Sequence, residues 1–422
     1  MSYRKINLIP LLIAQLLYSI APSVFSQTTP LARITVEAGN QIRINTPVSI
    51  PLEIIPAHDT DDLALKLKSG VNEKDVPCQV EQGISPKLWW IIQDTLHPGE
   101  QAVYLLYKGN KRDWPILKTT LDDEKIVVLD GVRPILQYNH APISPPEGVD
   151  SSITRGGFIH PLWSPTGDIL TRIQAPDHYH HYGIWNPWTK THFEGREVDF
   201  WNLGSKKGTV RFKSFLSTTG GPVYSGFQSL HDHVDLTPPE GEKVAMYEEW
   251  DVRIWNFPLK NNVKFWSWDF TSTLCCATSE PVMLDQYRYG GGIGFRATEL
   301  WTDQNSHILT SEGKTRENGD GTNARWCMIH GEGTKGISGI LFMSHPKNRE
   351  HPEPMRIWPV QDKYVYFQFC PIRHKEWEIL PGNKYTLTYR ILIYSGTITP
   401  EFAERLWRDF AYPPTIKFER ID

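Results

Sequence analysis

The stretch that decides the fold is residues 263–274, which reads V-K-F-W-S-W-D-F-T-S-T-L. Large apolar residues recur at even positions, and this face carries Trp266, Trp268, Phe270 and Leu274. A period of two is that of a β-strand with one buried face, whereas a helix would repeat every three to four residues. We therefore expect a long strand here, packed on one side against a core.

Strand-like runs recur along the rest of the chain, and clusters of Gly, Pro, Asn and Asp separate them. These runs cover residues 63–68, 102–107, 126–129, 209–216, 244–255, 337–343, 364–369 and 385–394. One helix is predicted near the C-terminus, where Thr399 is the cap, Pro400 lies in the first turn, and Phe402, Leu406 and Phe410 follow at helical spacing. Because strands do not alternate with helices, we expect an all-β protein of antiparallel sandwiches.

Three segments divide the chain. Residues 1–26 read as a signal peptide, with Arg4 and Lys5 before an apolar run over residues 8–21 and cleavage expected near Ser26/Gln27. Residues 27–118 are predicted to form a small accessory β-sandwich. Residues 119–422 are predicted to form a large antiparallel β-sandwich that carries the functional site. The leader predicts a periplasmic or secreted protein.

Composition excludes several classes of protein. Over 422 residues the formal net charge is −4, so the chain has no basic excess with which to bind nucleic acid. After the leader no apolar stretch approaches 18 residues, so no membrane span is expected. The five cysteines are an odd number and lack C-x-x-C spacing, which makes a disulfide framework or thiolate zinc site unlikely on sequence grounds.

Residues 160–201 concentrate the chemistry, because His, Trp, Arg and carboxylate side chains crowd one segment. A packed core would need a partner for each buried charge, whereas a site uses imidazole and carboxylate for proton transfer and guanidinium for anions or hydroxyls. The candidate catalytic residues are His178, His180, His181, His192, Glu194 and Asp199. The candidate substrate-binding residues are Arg172, Trp185, Trp188, Arg196, Trp201, Arg296, His345, His351 and Trp358.

Strand geometry sharpens this picture and leaves alternatives open. If residues 177–183 are extended, His178 and His180 share one face and His181 points to the other. A same-face pair of histidines suits a divalent metal, with His192 or Glu194 as further ligands, although no cofactor is expected. The histidines could instead make only structural hydrogen bonds around Tyr182 and Trp185. Glu197 is equally compatible with a solvated turn around Gly195.

The motifs also carry a family resemblance. H-P-L-W-S-P-x-G at 160–167, P-D-H-x-H-H-Y-G-I-W at 176–185 and V-D-F-W at 198–201 resemble the bacterial DUF6807 family, which often bears the label "methane oxygenase PmoA-like". The resemblance covers roughly residues 120–412. It implies an exported protein of a polysaccharide-utilisation system, a carbohydrate substrate and a fold similar to mutarotase-like supersandwiches. A membrane oxygenase would need apolar helices that this sequence lacks after its leader.

The sequence therefore predicts an exported enzyme that cleaves glycosidic bonds of a complex polysaccharide or its oligosaccharides. A histidine and a carboxylate would share the acid and base roles, in a glycoside hydrolase or a polysaccharide lyase. The alternatives are a non-catalytic glycan-binding protein and a metal oxidoreductase that uses the histidines as ligands. The sugar, its linkage and the oligomeric state do not follow from the sequence.

Overall fold

The computed structural model describes residues 29–52, 62–109, 112–257 and 265–421. Strands make up 53 % and helices 6 %, so the all-β prediction is confirmed. The predicted leader, residues 1–26, lies outside the described residues. None of the described helices is long and apolar enough to cross a membrane. Cys275, Cys276, Cys327 and Cys370 have free thiols.

Seven strands form the N-terminal part. They are β1 (Ala32–Glu37), β2 (Thr46–Pro51), β3 (Leu63–Ser69), β4 (Asn72–Val76), β5 (Cys78–Glu81), β6 (Lys87–Ile92) and β7 (Gln101–Lys108). The rest of the chain begins with β8 (Leu117–Leu121), β9 (Lys125–Asp130), β10 (Arg133–Asn139), β11 (Phe158–Leu162), β12 (Ile173–Ala175), β13 (His178–Tyr182), β14 (Ile184–Trp185), β15 (Thr191–Phe193) and β16 (Arg196–Val198).

The longest strands follow, and the one helix of more than a single turn in the described ranges comes near the end. They are β17 (Gly208–Thr219), β18 (Tyr224–Asp235), β19 (Lys243–Trp255), β20 (Phe265–Cys276), β21 (Val282–Leu284), β22 (Gly294–Arg296), β23 (Ser306–Thr310), β24 (Asn323–Ala324), β25 (Trp326–Gly333), β26 (Gly336–Ser344), β27 (Glu353–Ile357), β28 (Tyr366–Phe369), β29 (Trp377–Ile379), β30 (Tyr385–Ser395), helix α1 (Pro400–Ala411) and β31 (Thr415–Arg420).

Two large antiparallel sheets build the main sandwich. One has eight strands in the order β17-β18-β19-β20-β30-β26-β25-β23, and the other has nine in the order β24-β27-β28-β22-β14-β11-β10-β9-β8. Their inner faces share one hydrophobic cluster, in which Trp268 of the first sheet and Phe295 of the second are both fully buried. Strand β20 contains residues 265–274 of the alternating segment, and its even-numbered residues from Trp266 to Leu274 are buried, as predicted, together with Ser267.

The N-terminal part has its own core between a five-stranded and a three-stranded sheet. The C-terminal strand β31 completes the five-stranded sheet by pairing with β1, so the chain returns to its N-terminal part at the end. The helix α1 also joins the two parts, because Asp409 accepts a 2.8 Å hydrogen bond from Arg43 in a buried ion pair. The predicted cap is confirmed: Thr399 Oγ1 accepts from the amide of Phe402.

Candidate functional site

Three histidine rings meet on the short strand β13. His181 stacks on His178 with ring centroids 4.7 Å apart, and His180 lies 4.9 Å from His181. The expectation that His181 points away from the other two is therefore wrong. The physical reason is the register, because β13 runs from His178 to Tyr182 while its partner advances only from Ala175 to Ile173. Such an irregularity breaks the strict alternation of side chains.

We call His178, His180 and His181 the histidine cluster. Its members differ in exposure: His181 is 1 % exposed, whereas His178 and His180 are half-buried and open to solvent on one side. The short sheet of β12 and β13 pairs with neither large sheet, although β13 contacts β11 and β22 of the nine-stranded sheet. The cluster therefore combines the buried ring of His181 with a half-exposed rim formed by His178 and His180.

An ionic relay orients His178. Its Nδ1 lies 3.2 Å from Oδ2 of Asp177, and the same carboxylate accepts a 2.5 Å hydrogen bond from Nη2 of Arg296. An ionised carboxylate can only accept, so Nδ1 of His178 carries the proton in this pair. The Nε2 atom of His178 is then left with a lone pair. The His178 side chain is 39 % exposed, so this lone pair is available to a ligand.

Burial and neighbouring charges fix the protonation of His180, His181 and Asp177 near neutral pH. Burial, helped by the charge of His178 and opposed by Asp199, lowers the pKa of His180 to about 4. Burial also lowers the pKa of His181 well below its usual value. Burial raises the pKa of Asp177, but the charge and hydrogen bond of Arg296 together with His178 outweigh it and lower the pKa. His180 and His181 are therefore neutral and Asp177 ionised at pH 7.

Aromatic rings surround the histidines. Trp201 stacks on His181 at 5.6 Å, and Trp358 lies 4.7 Å from His178. Tyr366 and Trp185 pack on the buried side of His181. The indole N–H of Trp201 and Nδ1 of His181 are buried without a hydrogen-bond partner in the described residues. The indole N–H groups of Trp90 and Trp268 in the core are unpaired as well, so it is the partial exposure of His178 and its ionic partners that distinguish this site.

Asp199 supports this arrangement from the next loop. Its Oδ1 accepts from the amides of Trp201 and Asn202, and its Oδ2 accepts from the Asn202 side chain. These three bonds hold the turn that presents Trp201. The carboxylate also faces His180 closely enough to oppose the lowering of its pKa. The structure thus brings Asp199 to the cluster, in contact with the backbone rather than with the histidines.

The other predicted catalytic residues lie elsewhere on the sheet of β15 and β16. His192 is exposed and pairs with Asp285 at 2.7 Å. Glu194 occupies the two-residue turn with Gly195, both at positive φ, where it forms ion pairs with Arg196 and Lys243. Ion-pair partners at the surface satisfy His192 and Glu194, and the structure does not bring either residue to the histidine cluster.

Some of the predicted binding residues also lie at the histidine cluster, and the others lie elsewhere. Arg296 and Trp358 contact each other within the cluster, with the guanidinium 4.6 Å from the ring centroid. Arg172 lies at its edge, where its guanidinium and that of Arg296 both lie over the ring of Tyr364.

The remaining predicted binding residues take other positions. Arg196 binds Asp235 in addition to Glu194. Trp188 is fully buried beside Trp377. His345 lies against Phe410 of helix α1, and His351 stacks on Trp407 of the same helix. The last two histidines thus belong to the packing of the helix.

Three contributors to the site were absent from the candidate set. Asp177 directly precedes His178, so its pairing could have been read from the D-H dipeptide. Tyr289 and Arg356 come from distant segments: the Tyr289 hydroxyl accepts hydrogen bonds from Nη2 of Arg356 at 2.9 Å and from the Trp358 indole at 3.1 Å. No local sequence signal reports such long-range pairing.

A metal site is not evident in the part of the chain that the structure describes. No group of three or more His, Cys, Asp or Glu side chains is arranged to hold an ion there. The metal oxidoreductase alternative therefore gains no support from the described geometry.

Two cavities lie away from the histidine cluster. One of about 560 Å³ is bordered by Arg155, Lys206 and Arg211, and the other of about 480 Å³ lies between the N-terminal part and the main sandwich. In the second cavity Arg253 binds both Glu81 and Asp251. In neither cavity does a carboxylate orient a lining histidine, since His140 in the first bonds to the backbone carbonyl of Asp122 and the second has no histidine, so we place the candidate site at the histidine cluster.

Comparison with protein families agrees with the motifs. The model of DUF6807, a family of unknown function, matches residues 125–408. The chain belongs to this family. The match begins at β9 and ends in helix α1, so it contains the histidine cluster and every residue that contacts it. Comparison with curated proteins gave no match.

Solved structures that resemble this DUF6807 protein do so weakly. An alpha-mannosidase from Enterococcus faecalis has a TM-score of 0.42 at 9 % identity, covering 94 % of this chain and 47 % of its own. A heparan sulfate lyase from Pedobacter heparinus has a TM-score of 0.28 at 9 % identity, covering 69 % and 38 %. An alpha-galactosidase from Geobacillus stearothermophilus has 0.27 at 9 %, covering 66 % and 41 %. This chain spans less than half of each protein, and at these scores the likeness carries no argument about activity.

Proposed function

We propose that the protein is a carbohydrate-active enzyme that cleaves glycosidic bonds, with His178 as its general base. The observation that carries the proposal is the relay from Arg296 through Asp177 to His178. A base held by a carboxylate on one ring nitrogen keeps its other nitrogen aimed at a substrate, which is the arrangement that proton-abstracting histidines use.

The aromatic rings supply the binding part of the proposal. Trp358 and Trp201 flank the histidines, and Tyr289 is half-buried beside Trp201 at 5.2 Å. Flat apolar faces next to hydrogen-bonding groups match a sugar ring, which has apolar C–H faces and a polar edge. Trp358 and Trp201 are almost fully buried, so a ligand reaches their edges from the side of His178.

A glycan-binding protein without catalysis is the second candidate. The aromatic rings support this candidate as well as the enzyme, because binding needs only stacking surfaces and hydrogen bonds. It does not require the ionic relay, since a histidine that only donates a hydrogen bond needs no buried guanidinium to fix its carboxylate partner. The buried Arg296 guanidinium, which bonds the carboxylate that orients His178, therefore favours the catalytic candidate.

The test compares cleavage with binding on a panel of plant and algal polysaccharides. Wild-type protein should release new chain ends from at least one of them. His178→Ala should lower that rate by roughly 10²-fold or more, the usual contribution of a general base, while retaining affinity for the same polysaccharide. Cys275→Ser is the matched control, because this half-buried thiol lies on strand β20 and should leave the rate unchanged. Binding without cleavage by the wild-type protein would favour the second candidate.

A further inference from the structure

The rim of the histidine cluster carries an excess of positive charge. Arg172 pairs with Glu299, Arg296 with Asp177, and Asp320 is shared by Arg356 and Arg373. A fifth guanidinium, that of Arg288, is exposed and has no carboxylate partner in the described residues. Five guanidinium groups stand against four carboxylates when Asp199 is counted, so one positive charge, that of Arg288, is left for an anionic ligand to neutralise.

Arg288 adjoins the aromatic part of the site through its neighbour Tyr289. Its guanidinium lies 5.3 Å from the ring centroid of Tyr289, and that of Arg356 lies 4.8 Å from the same ring. The backbone carbonyl of Arg288 accepts a hydrogen bond from Arg373, which fixes the chain at this point. The side chain is therefore positioned by stacking while its hydrogen-bond donors remain open to solvent.

The hydroxyl of Tyr289 is also positioned to donate its proton. It accepts from both Arg356 and the Trp358 indole, which occupies the oxygen lone pairs. Its own proton has no acceptor among the described side chains, so it points away from these donors. Trp201 connects Tyr289 to the histidine cluster, because its ring centroid lies 5.2 Å from that of Tyr289 and 5.5 Å from that of His180.

We propose, resting on the proposed function, that the substrate is a uronate-containing polysaccharide and that the enzyme breaks it by β-elimination. Arg288 would bind the sugar carboxylate through a two-point contact, for which a guanidinium is suited. His178 would remove the proton from C5, next to that carboxylate. Tyr289 would donate its proton to the leaving glycosidic oxygen.

The step balances without a cofactor or water. The C5–H electron pair becomes the C4=C5 double bond as the C4–O bond breaks, and the leaving oxygen takes the Tyr289 proton. His178 has gained one proton and Tyr289 has lost one, so a single transfer through solvent restores both. The negative charge that develops on the carboxylate during proton removal is stabilised by Arg288.

Hydrolysis would need a different set of groups. Its general acid is a carboxyl that holds a proton near neutral pH, paired with a second carboxylate. Asp177 is bound to Arg296, which keeps it ionised, and Asp199 is occupied by three hydrogen bonds from its own turn. Neither carboxylate at the cluster is thus free to donate a proton, whereas the base, cation and hydroxyl of an elimination are all present.

The experiment follows ultraviolet absorbance of the unsaturated uronate together with new reducing ends on three substrates: a polyuronate, a sulfated neutral polysaccharide and an uncharged one. The expected result is absorbance and new ends rising together on the polyuronate alone. Arg288→Gln should lower kcat/KM on it by roughly 10- to 100-fold, the range of a lost hydrogen bond to a charged group. Arg33→Gln, an exposed arginine on β1, is the matched control and should not change the rate.

The outcomes separate this inference from the proposed function. New ends without absorbance on any substrate would overturn elimination while leaving glycosidic cleavage intact. Cleavage of the sulfated neutral polysaccharide would overturn the uronate assignment. Equal kcat/KM for Arg288→Gln and wild type would overturn the role of Arg288. Tyr289→Phe should lower kcat with little change in KM, and an unchanged kcat would overturn its role as proton donor. Absence of cleavage on every substrate would overturn the proposed function and this inference together.

Discussion

Two regions of the main sandwich use the same residue types in opposite ways. In the histidine cluster, His178 and His180 are half-buried, and the carboxylate that orients His178 is itself partly exposed. The second region lies around Glu248 between the large sheets. There the carboxylate accepts from His233 at 2.8 Å, Trp250 at 2.8 Å, Ser272 at 2.6 Å and Asn186. We call these five residues the Glu248 network.

The Glu248 network shows what a structural use of histidine looks like. Burial raises the pKa of Glu248, but the hydrogen bond and charge of His233, with His231 and Ser272, lower it to about 2. Next to it, His231 accepts from the Tyr138 hydroxyl and donates to the Glu248 carbonyl. All of these side chains are essentially inaccessible to solvent. The difference teaches that exposure, rather than residue type, separates a site from a core network.

Removing the carboxylate of the Glu248 network should have the largest effect on stability. Glu248→Ala leaves the buried His233 and Trp250 donors without an acceptor, and breaking a buried pair in this way costs about 3–5 kcal/mol. Chemical denaturation measures the free energy of unfolding. Glu249→Ala is the matched control, because the neighbouring side chain on β19 points to the other face and is half-exposed; its loss should stay within about 0.5 kcal/mol. Equal losses for the two variants would contradict the structural role of the network.

Acid pH should destabilise both regions. Burial lowers the pKa of His160, His180, His231 and His351 to about 4 each, against 6.5 for the free side chain. Between pH 6.5 and 4 the unfolded chain binds protons that the folded chain does not. The stability that these histidines contribute is complete above pH 6.5 and is lost as the pH falls. The melting temperature should therefore decrease steadily over this range.

The carboxyl of Glu353 has the opposite effect on the pH dependence of stability and provides the control. Burial, countered by hydrogen bonds from Ser344, Asn348 and Tyr389, raises the pKa of Glu353 to about 7. Its contribution to stability is complete below pH 4.5 and is lost as the pH rises to 7. Glu353→Gln removes this contribution, so its melting temperature should fall more steeply than that of the wild type between pH 7 and 4.5. A parallel course for the two proteins would show that Glu353 does not titrate in this range.

Much of the fold follows from local sequence, because period-two patterning and helix capping act within a few residues. Strand β20 and helix α1 were predicted from such signals and are confirmed. The return of β31 to the N-terminal sheet was not predicted, since pairing between residues nearly 400 positions apart leaves no local pattern.

The candidate site was predictable to a similar extent. The segment of residues 160–201 supplied His178, Trp201 and Asp199, but the irregular register of β13 reversed the expected direction of His181. Glu194 and His192 have the same residue types as site residues, and only the structure reveals that surface partners satisfy them. Tyr289 and Arg356 reach the cluster through tertiary packing, which the order of residues along the chain does not encode locally.

The measurement that tests the central claim most directly compares His178→Gln with His233→Gln for both kcat/KM and melting temperature. The account predicts that His178→Gln loses roughly 10²-fold or more in kcat/KM while its melting temperature stays within a few degrees of wild type, because a half-exposed base contributes little packing. It predicts that His233→Gln lowers the melting temperature by more than His178→Gln does, because a fully buried donor to Glu248 is lost. If His178→Gln lost stability while retaining kcat/KM, the histidine cluster would be a structural network and the account would be contradicted.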